Sequence, residues 1–158
     1  MRSVADFYQD CQAVAHAVPP LDVKLADAVS CVLAEDVQAP FNLPVADLSA
    51  CDGYAVRVRD CEGATLETPV TLPVTEEIRA GAVDPAALVP GTAIRIASGA
   101  PMPTGAEAVV SLEFTDHGVA QVALRTAPAS GENIRRRAED VAQGETVLRA
   151  GTRIGARQ

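Results

Sequence analysis

Tryptophan is absent from the sequence, and aromatic residues make up only 3% of its 158 residues. Domains that bind single-stranded nucleic acid stack the bases on exposed aromatic rings, which are scarce in this chain. The net charge of −8 also has the wrong sign for a surface that binds nucleic-acid phosphates. The scarcity of aromatic residues and the negative net charge together exclude nucleic acid as the partner. Hydrophobic residues nevertheless account for 48% of the chain, so valine, leucine, isoleucine and alanine suffice for a folded core.

Histidine is nearly absent, and the cysteines are not arranged for metal binding. The only histidines are His16 and His117, and the four cysteines form no Cys-x-x-Cys pair. Zinc sites and thioredoxin-like redox sites need such pairs or a Cys-His cluster. Because histidine is the commonest general base, catalysis by this chain would depend on carboxylates, hydroxyls and bound cations. A reducing cytoplasm with free thiols is the expected compartment.

Long apolar segments are absent as well. The N-terminal sequence MRSVADFYQD lacks the apolar stretch of a signal peptide. No run of apolar residues approaches the length of about 20 that crosses a bilayer. The sequence therefore predicts no membrane association.

The first element that the sequence does contain is an amphipathic helix. Apolar residues recur at helical spacing over residues 3–18, with Ser3 as a suitable N-cap and Pro19 directly after them. Beyond this helix, residues 21–25 alternate like a strand, and residues 26–36 are predicted to form a short helix.

The rest of the chain has the pattern of short strands. Residues 53–59 alternate, with Tyr54, Val56 and Val58 on one side, which predicts a half-buried strand. Further strands are predicted at 69–75, 92–97, 107–114, 118–125 and 145–149. Glycine- and proline-rich connections separate most of them, so we expect a small barrel or sandwich after the N-terminal helices.

The first of three candidate site motifs is SACDGYAVR, residues 49–57. Asp-Gly is a strong turn dipeptide, because glycine tolerates positive φ and aspartate bonds to nearby backbone. Asp52 is also a candidate general base or magnesium ligand. From the pattern alone, the turn is favoured over the site.

The second motif is IRIASGAPMPTGAEAVV, residues 94–110, in which two strands flank a stretch of small residues. Small residues let a ligand approach the backbone, and Ser98 adds a hydroxyl, with free amides expected beside it. The motif is not a P-loop, because the Gly-Lys-Ser/Thr ending and the following helix are missing. From spacing alone, a structural hairpin is favoured.

The third motif is GENIRRRAED, residues 131–140, the densest basic cluster in the chain. Residues 131–158 hold six arginines and four acids, a net charge of +2, so residues 1–130 carry −10. Successive side chains of an extended segment point to opposite faces, so Arg135, Arg136 and Arg137 cannot all contact one anion. One or two of them are candidates for binding a phosphate or an acidic partner. A salt-bridged surface strand is an equally good interpretation.

These motifs, with two further segments, resemble a known family. VLAEDVQAP, SACDGYAVR, IRIASGAPMPTGAEAVV, GENIRRRAEDV and VLRAGTRI occur in this order along the chain. Their order and spacing are similar to those of the N-terminal part of MoeA-type molybdopterin molybdenumtransferases, the group that includes the gephyrin E domain. The resemblance covers residues 1–154.

The resemblance implies a fold of the α+β class with two domains. Residues 1–45 and 131–158 would form domain I from the N-terminal helices and a returning segment. Residues 46–130 would form domain II, a β-rich, barrel-like insertion into domain I.

The resemblance also implies a reaction and a site. Such proteins take adenylylated molybdopterin and molybdate as substrates, release AMP and insert molybdenum with the help of Mg²⁺. By this resemblance, Asp52 and Asp140 are expected to be catalytic residues and Mg²⁺ ligands. Ser98, Gly99 and Arg136 are expected to bind substrate.

Partners follow from the same resemblance. The family's active site lies between the subunits of a dimer, so we expect a homodimer, with molybdopterin adenylyltransferase as the upstream partner. The family's domains III and IV, of which domain III binds pterin and molybdate, would begin soon after residue 158. The 158-residue chain alone is therefore expected to be inactive. The alternative is a truncated, non-catalytic relative that acts as a dimerisation or partner-docking module.

The chain departs from the family pattern at a few positions. Leu48 stands where asparagine is usual, Cys51 where methionine is usual, and Ser98 keeps the hydroxyl of the usual threonine. Ala138 stands where glycine is usual. If this position has positive φ, alanine is strained there by about 1 kcal/mol.

Overall fold

One α-helix and nine short strands form most of the regular structure in residues 2–16 and 18–158, which a computed structural model describes. The helix is α1 (Val4–Val14). The strands are β1 (Val37–Gln38), β2 (Leu48–Ser49), β3 (Gly53–Val56), β4 (Val70–Ile78), β5 (Ala93–Ile96), β6 (Ala108–Ser111), β7 (Gln121–Leu124), β8 (Ile134–Arg135) and β9 (Thr146–Leu148). The chain divides into two compact units, Met1–Val37 with Thr146–Gln158, and Gln38–Glu145.

Helix α1 starts where the sequence predicts it. The Ser3 hydroxyl accepts a hydrogen bond from the Asp6 amide at 3.1 Å, and the Asp6 carboxylate accepts one from the Ser3 amide at 3.2 Å. This reciprocal pair is a capping box. The helix ends at Val14 rather than at residue 18, and Ala17 lies outside the described residues. No residue of α1 is buried, and Phe7 is 59% exposed.

Across residues 2–16 and 18–158, the structure contains no helix with the length and apolar character needed to cross a bilayer.

The strand predicted at 21–25 and the helix predicted at 26–36 are both wrong. The helical structure in this segment is limited to a 3₁₀ turn at Leu25–Asp27. The backbone instead bonds to the C-terminal segment of the same unit, where the Leu33 amide donates to the Thr152 carbonyl at 2.9 Å. Partners supplied by a distant segment satisfy the backbone and override the weak local propensity for helix.

The larger unit contains a five-stranded sheet in the order β6-β3-β5-β4-β7. Neighbouring strands are antiparallel, except that β4 and β5 run parallel. Thr115, just beyond β6 at one edge, bridges to Leu124 in β7 at the other edge. The sheet therefore curls into a half-barrel, which leaves few unpaired groups at its edges.

Strand β3 is the centre of this sheet and is buried on both faces. Tyr54 and Val56 belong to the apolar cluster on one face, and Ala55 belongs to the cluster on the other. The strand predicted over residues 53–59 is present, with Tyr54 and Val56 on one face, but the predicted half-burial is wrong, because the curled sheet encloses one face and a second cluster covers the other. The strand also ends at Val56, before a 3₁₀ turn at Val58–Cys61.

Most of the predicted strands are present. Those predicted at 69–75, 92–97, 118–125 and 145–149 correspond to β4, β5, β7 and β9. The strand predicted at 107–114 ends at Ser111, because Leu112–Phe114 forms a 3₁₀ turn. The α+β prediction therefore holds in a coarser form, in which the described chain is mostly sheet with one helix.

Candidate functional site

Asp52 lies in the bend that leads into β3. Its residue is exposed, and its Oδ1 accepts a hydrogen bond from the Ser98 amide at 2.7 Å. Its backbone carbonyl accepts another from the Leu112 amide at 3.1 Å. The carboxylate is thus held in a defined direction through one oxygen, and Oδ2 can still contact a ligand. The structure brings together Asp52 and Ser98, two of the predicted site residues.

Gly53, the residue after this carboxylate, is required for a different reason from the predicted one. It is the first residue of β3 and does not have positive φ, so the turn interpretation holds for Asp52 and is wrong for Gly53. A Cβ on Gly53 would lie 2.2 Å from the carbonyl oxygen of Val110. Only glycine fits, because the backbone of β6 approaches β3 too closely for any side chain.

The amides beside Ser98 are not free, which corrects an expectation from the sequence. The Ser98 amide is held by the carboxylate described above. The Gly99 amide donates to the Ser49 carbonyl at 2.9 Å, and the Ala100 amide donates to the Ala97 carbonyl at 3.0 Å. These bonds brace the loop, so its backbone offers no nest of donors to an anion.

The Ser98 hydroxyl is the polar group that this loop still presents. The residue is exposed, and its Oγ lies 3.4 Å from the Ala50 carbonyl. A hydrogen bond of that length is weak, so the hydroxyl can turn toward a ligand at little cost.

Asp140 and the arginines of the third motif form ion pairs within the chain. Arg135 Nη2 lies 2.5 Å from Asp140 Oδ2, and Arg136 Nη1 lies 2.8 Å from Asp47 Oδ2. The hydrogen bond to Asp140 raises the pKa of Arg135. The Arg137 amide also donates to Asp47 at 2.8 Å, and this bond, together with Arg136, lowers the pKa of Asp47. These contacts are those of a salt-bridged surface segment.

The two predicted catalytic carboxylates lie at opposite ends of one ladder, which β2 and β8 form in antiparallel register. At one end, the Asp140 amide donates to the Leu43 carbonyl at 2.9 Å. At the other end, the Ala50 amide donates to the Asn133 carbonyl at 2.9 Å, two residues before Asp52. The structure therefore does not bring Asp140 to the site that Asp52 and Ser98 form.

Magnesium fits one end of this ladder better than the other. Among residues 2–16 and 18–158, no group of three His, Cys, Asp or Glu side chains is placed to hold a metal ion. Mg²⁺ often needs fewer protein ligands, since it keeps several waters and binds one or two carboxylates plus a substrate phosphate. Asp52 fits this role through Oδ2, whereas Arg135 contacts the Oδ2 of Asp140.

A cleft of about 140 Å³ opens beside Asp52. It is lined by the acidic residues Asp52 and Glu77, by Arg95, and by the apolar Ile96 and Leu112, among others. The sequence reasoning missed Glu77 and Arg95. One signal for Arg95 was present, because it is the only charged residue in β5, whose other residues are buried and apolar.

A larger groove of about 610 Å³ lies elsewhere in the same unit. It is lined by Val45, Ala46, Asp47, Leu48, Gly81, Ala82, Val83, Asp84, Pro85, Gly99, Pro101, Met102 and Thr104. Gly99, which was predicted to bind substrate, therefore lines this groove and not the cleft beside Asp52.

The residues that depart from the family pattern occupy structural positions. Ala138 has a φ of +63°, so the strain predicted for alanine at this position is present. Leu48 is half-buried in β2. Cys51 is half-buried and packs against the apolar cluster that contains Ala55 and Ile96. Burial raises the pKa of the Cys51 thiol, so it serves as a small apolar group.

The same stretch of chain matches a protein family from end to end. The family is described as the MoeA N-terminal region (domain I and II), and it matches residues 2–158. The chain belongs to this MoeA family. The resemblance seen in the five sequence segments is thereby confirmed.

Relatives and solved structures of MoeA proteins agree with this assignment. Molybdopterin molybdenumtransferase 2 of Mycobacterium tuberculosis is 51% identical over 151 residues, which cover 96% of this chain and 37% of the relative. Molybdopterin molybdenumtransferase of Bacillus subtilis is 40% identical over 136 residues, which cover 84% of this chain and 32% of the relative. The molybdopterin biosynthesis moeA protein of Pyrococcus horikoshii OT3 has the same fold with a TM-score of 0.80 and 38% identity. That match covers 85% of this chain and 36% of the solved one. The chain thus spans little more than a third of the length of the MoeA relatives that it matches.

Proposed function

We propose that this chain supplies the Asp52 half of the active site of a molybdopterin molybdenumtransferase in molybdenum cofactor biosynthesis. The reaction takes adenylylated molybdopterin and molybdate, releases AMP and inserts molybdenum into the dithiolene. The observation that carries this proposal is the family match over residues 2–158, combined with the exposed Asp52 carboxylate that the Ser98 amide holds at 2.7 Å.

The proposed roles follow from the contacts of each side chain. Asp52 would bind Mg²⁺ through Oδ2, and the bound ion would neutralise charge on the phosphate that leaves. The Ser98 hydroxyl would donate to a phosphate or to a developing oxyanion. In the same proposal, Asp140 is a second catalytic carboxylate and Mg²⁺ ligand at the other end of the ladder, where Arg136 binds substrate. Gly99 binds substrate in the larger groove.

The proposed architecture is that of domain I over residues 1–45 and 131–158, with domain II inserted as residues 46–130. A cytoplasmic homodimer, with molybdopterin adenylyltransferase as the upstream partner, belongs to the same proposal. The exposed apolar side of α1 supports the dimer, because Val4, Phe7 and Val14 are 87%, 59% and 75% exposed. Light scattering across a concentration series measures the oligomeric state, and a monomer at all concentrations would contradict the dimer.

A chimera tests the catalytic proposal. The chain replaces the matched 151 residues of the Mycobacterium tuberculosis molybdopterin molybdenumtransferase 2, and AMP release is measured with adenylylated molybdopterin and molybdate. We expect turnover from this chimera, and at least a ~100-fold loss from Asp52→Asn, because removing one group that stabilises developing charge has effects of this size. Circular dichroism should be unchanged and Tm should change little, because the residue is exposed and asparagine keeps an oxygen that can accept the hydrogen bond from the Ser98 amide.

Two further variants complete that experiment. Asp22→Asn is the matched control, because Asp22 is an exposed acid in the smaller unit, and its turnover should equal that of the unmodified chimera. Asp140→Asn should also lower turnover without changing Tm. Undiminished AMP release by the Asp52→Asn chimera would refute the proposed role of Asp52.

A second candidate function is a non-catalytic dimerisation or docking module, and the uncovered apolar side of α1 is the observation that favours it. This role predicts that the unmodified chimera is folded and dimeric but releases no AMP. Turnover by the chimera would exclude it.

A further inference from the structure

Three side chains form a row across the centre of the half-barrel sheet. Tyr54 in β3 lies opposite Arg95 in β5, and Arg95 lies beside Glu77 in β4. Residues that are paired across neighbouring strands project from the same face of a sheet. Asp52, in the bend just before β3, lines the same cleft as Arg95 and Glu77.

Arg95 lies at the boundary between the core and this cleft. Tyr54 belongs to the buried cluster on that face, together with Ala93, two residues before Arg95. Burial raises the pKa of the Tyr54 phenol, and the nearby positive charge of Arg95 offsets part of that rise. Arg95 is thus close enough to Tyr54 to affect the pKa of its phenol, and it is also one of the residues that line the cleft.

The donors of Arg95 are not used within the described part of the chain. Its guanidinium makes no ion pair within 4.0 Å among these residues. Arg135 and Arg136, in contrast, are each paired with an aspartate. Glu77, the neighbour of Arg95 in the row, has Arg79 at 3.7 Å instead. A half-buried guanidinium with five N–H donors and no internal acceptor is suited to an external acceptor.

The size and charge of the cleft limit what it accepts. Ligand pockets for whole cofactors measure about 300–1,000 Å³, and this cleft of about 140 Å³ has room for one small group. Its two carboxylates and one guanidinium carry a net charge of −1, which would repel a free dianion. A divalent cation on the carboxylates reverses that charge, and Mg²⁺ is commonly bound by one or two carboxylates together with a phosphate.

We propose that Arg95 binds a tetrahedral oxyanion in this cleft, with Asp52 and Glu77 holding the accompanying Mg²⁺. The inference deepens the proposed function and rests on it for the identity of the oxyanion, which is either the phosphate of the adenylylated substrate or molybdate. The planar guanidinium can donate two parallel hydrogen bonds to such a group. Glu77 thereby becomes the second carboxylate of the Asp52 site.

The test is an NMR titration of the unmodified 158-residue chain with AMP, inorganic phosphate or molybdate, each with and without Mg²⁺. We expect saturable shifts at the amides of Gly53, Ile96 and Ala97, which line the cleft, and tighter binding with Mg²⁺. If AMP and inorganic phosphate cause these shifts and molybdate causes none, the cleft is a phosphate subsite. If molybdate causes them and the other two probes do not, it is a molybdate subsite. No saturable shift with any of the three probes overturns the proposal.

Variants of Arg95 complete the test. Arg95→Gln should weaken binding at least ~10-fold by removing the charge and the paired donors. Arg95→Lys keeps the charge but loses the bidentate geometry, so it should bind with intermediate strength. Arg59→Gln is the matched control, because Arg59 is exposed and does not line the cleft. Equal affinity in all three variants, or shifts confined to Arg135–Arg137, would overturn the role of Arg95.

Binding and turnover separate the two proposals. If the chimera releases no AMP but the chain binds the oxyanion through Arg95, the proposed function fails and the subsite stands. If the chimera is active and Arg95→Gln changes neither its KM nor the binding shifts, the function stands and the subsite fails.

Discussion

The two ends of the β2–β8 ladder carry the same kinds of side chain and use them differently. At one end, Asp140 is paired with Arg135, and Asp47 is paired with Arg136. At the other end, an amide rather than a cation holds Asp52, and the arginine in the adjoining cleft has no internal partner among the described residues. Charges that neutralise each other stabilise a surface, whereas charges without partners are available to a ligand.

This difference cannot be read from residue types. The motif with three consecutive arginines is the more conspicuous one, yet two of these side chains are engaged by aspartates of the same chain. Arg95 stands alone in an apolar strand, and its position beside Asp52 makes it the better candidate for binding an anion. The contact partners of a charged residue are therefore more informative than the density of charge around it.

The largest loss of stability is expected from a side chain added at Gly53, next to Asp52, where β3 and β6 are closely packed. Gly53→Ala places a Cβ 2.2 Å from the Val110 carbonyl oxygen, so β3 and β6 must separate. We expect a loss of about 3 kcal/mol in the free energy of unfolding, at the upper end for overpacking. Urea unfolding measures it.

Gly155→Ala is the control for that variant, because its Cβ would meet only the end of the flexible Gln158 side chain, at 3.3 Å. Its stability should change by less than about 0.5 kcal/mol. A Gly53→Ala protein as stable as this control would show that β3 and β6 do not need their close approach.

Asp47→Asn, at the other end of the ladder, should cause a smaller loss in the free energy of unfolding. Asp47 accepts a hydrogen bond from the Arg137 amide and one from Arg136, both at 2.8 Å. Charge-assisted bonds contribute about 1.5–3 kcal/mol each, but the side chain is 38% exposed, so solvent screening reduces their sum to about 1.5 kcal/mol.

The effect of Asp47→Asn should depend on pH. The pKa of Asp47 is lowered in the folded protein, so its contribution is complete above the unfolded pKa of about 4 and is lost as the pH falls through the lower folded pKa. Urea unfolding at pH 7 and near pH 3 should show the difference between wild type and Asp47→Asn narrowing in acid. A difference of equal size at both pH values would mean that Asp47 acts through shape and not through charge.

The features that the sequence predicts correctly are those that local chemistry determines. The Ser3 capping box involves residues three positions apart, so the start of α1 is readable from a few letters. Asp52 and Ser98 stay predictions as site residues, and these predictions come from motifs that resemble those of a family. The irregular structure of residues 26–36 was not predicted from the sequence, because its backbone partners lie more than a hundred residues away in the chain.

Register explains why the cleft was missed. Glu77 reaches the same face as Arg95 only because β4 pairs in parallel with β5 and contains an irregularity between Val74 and Glu76. Such a shift changes which face a side chain occupies, and alternation in the sequence does not reveal it. A pair of strands that are not neighbours in a hairpin has a register that only the folded sheet defines.

A gain in stability is expected from Ala138→Gly. Ala138 has a φ of +63°, where a Cβ costs about 1–2 kcal/mol, while glycine adds roughly 0.4–1 kcal/mol of entropy to the unfolded chain. The net effect should be a stabilisation of about 0.5–1 kcal/mol, measured as a higher urea midpoint. Ala142→Gly, in the same segment without positive φ, should be destabilising instead. A loss of stability in both variants would contradict the strain at Ala138.

The smallest effect on stability is expected for the Arg135–Asp140 pair, which sharpens the comparison between the two ends of the ladder. Its side chains are 45% and 54% exposed, so solvent screens the attraction and a double-mutant cycle of Arg135→Gln and Asp140→Asn should show no measurable coupling in Tm. Asp140→Asn is nevertheless expected to lower AMP release in the chimera, because the proposed role of Asp140 is in the reaction. A coupling as large as the effect of Asp47→Asn, with turnover unchanged in Asp140→Asn, would make Asp140 a structural residue. The active site would then have its carboxylates at the Asp52 end of the ladder alone.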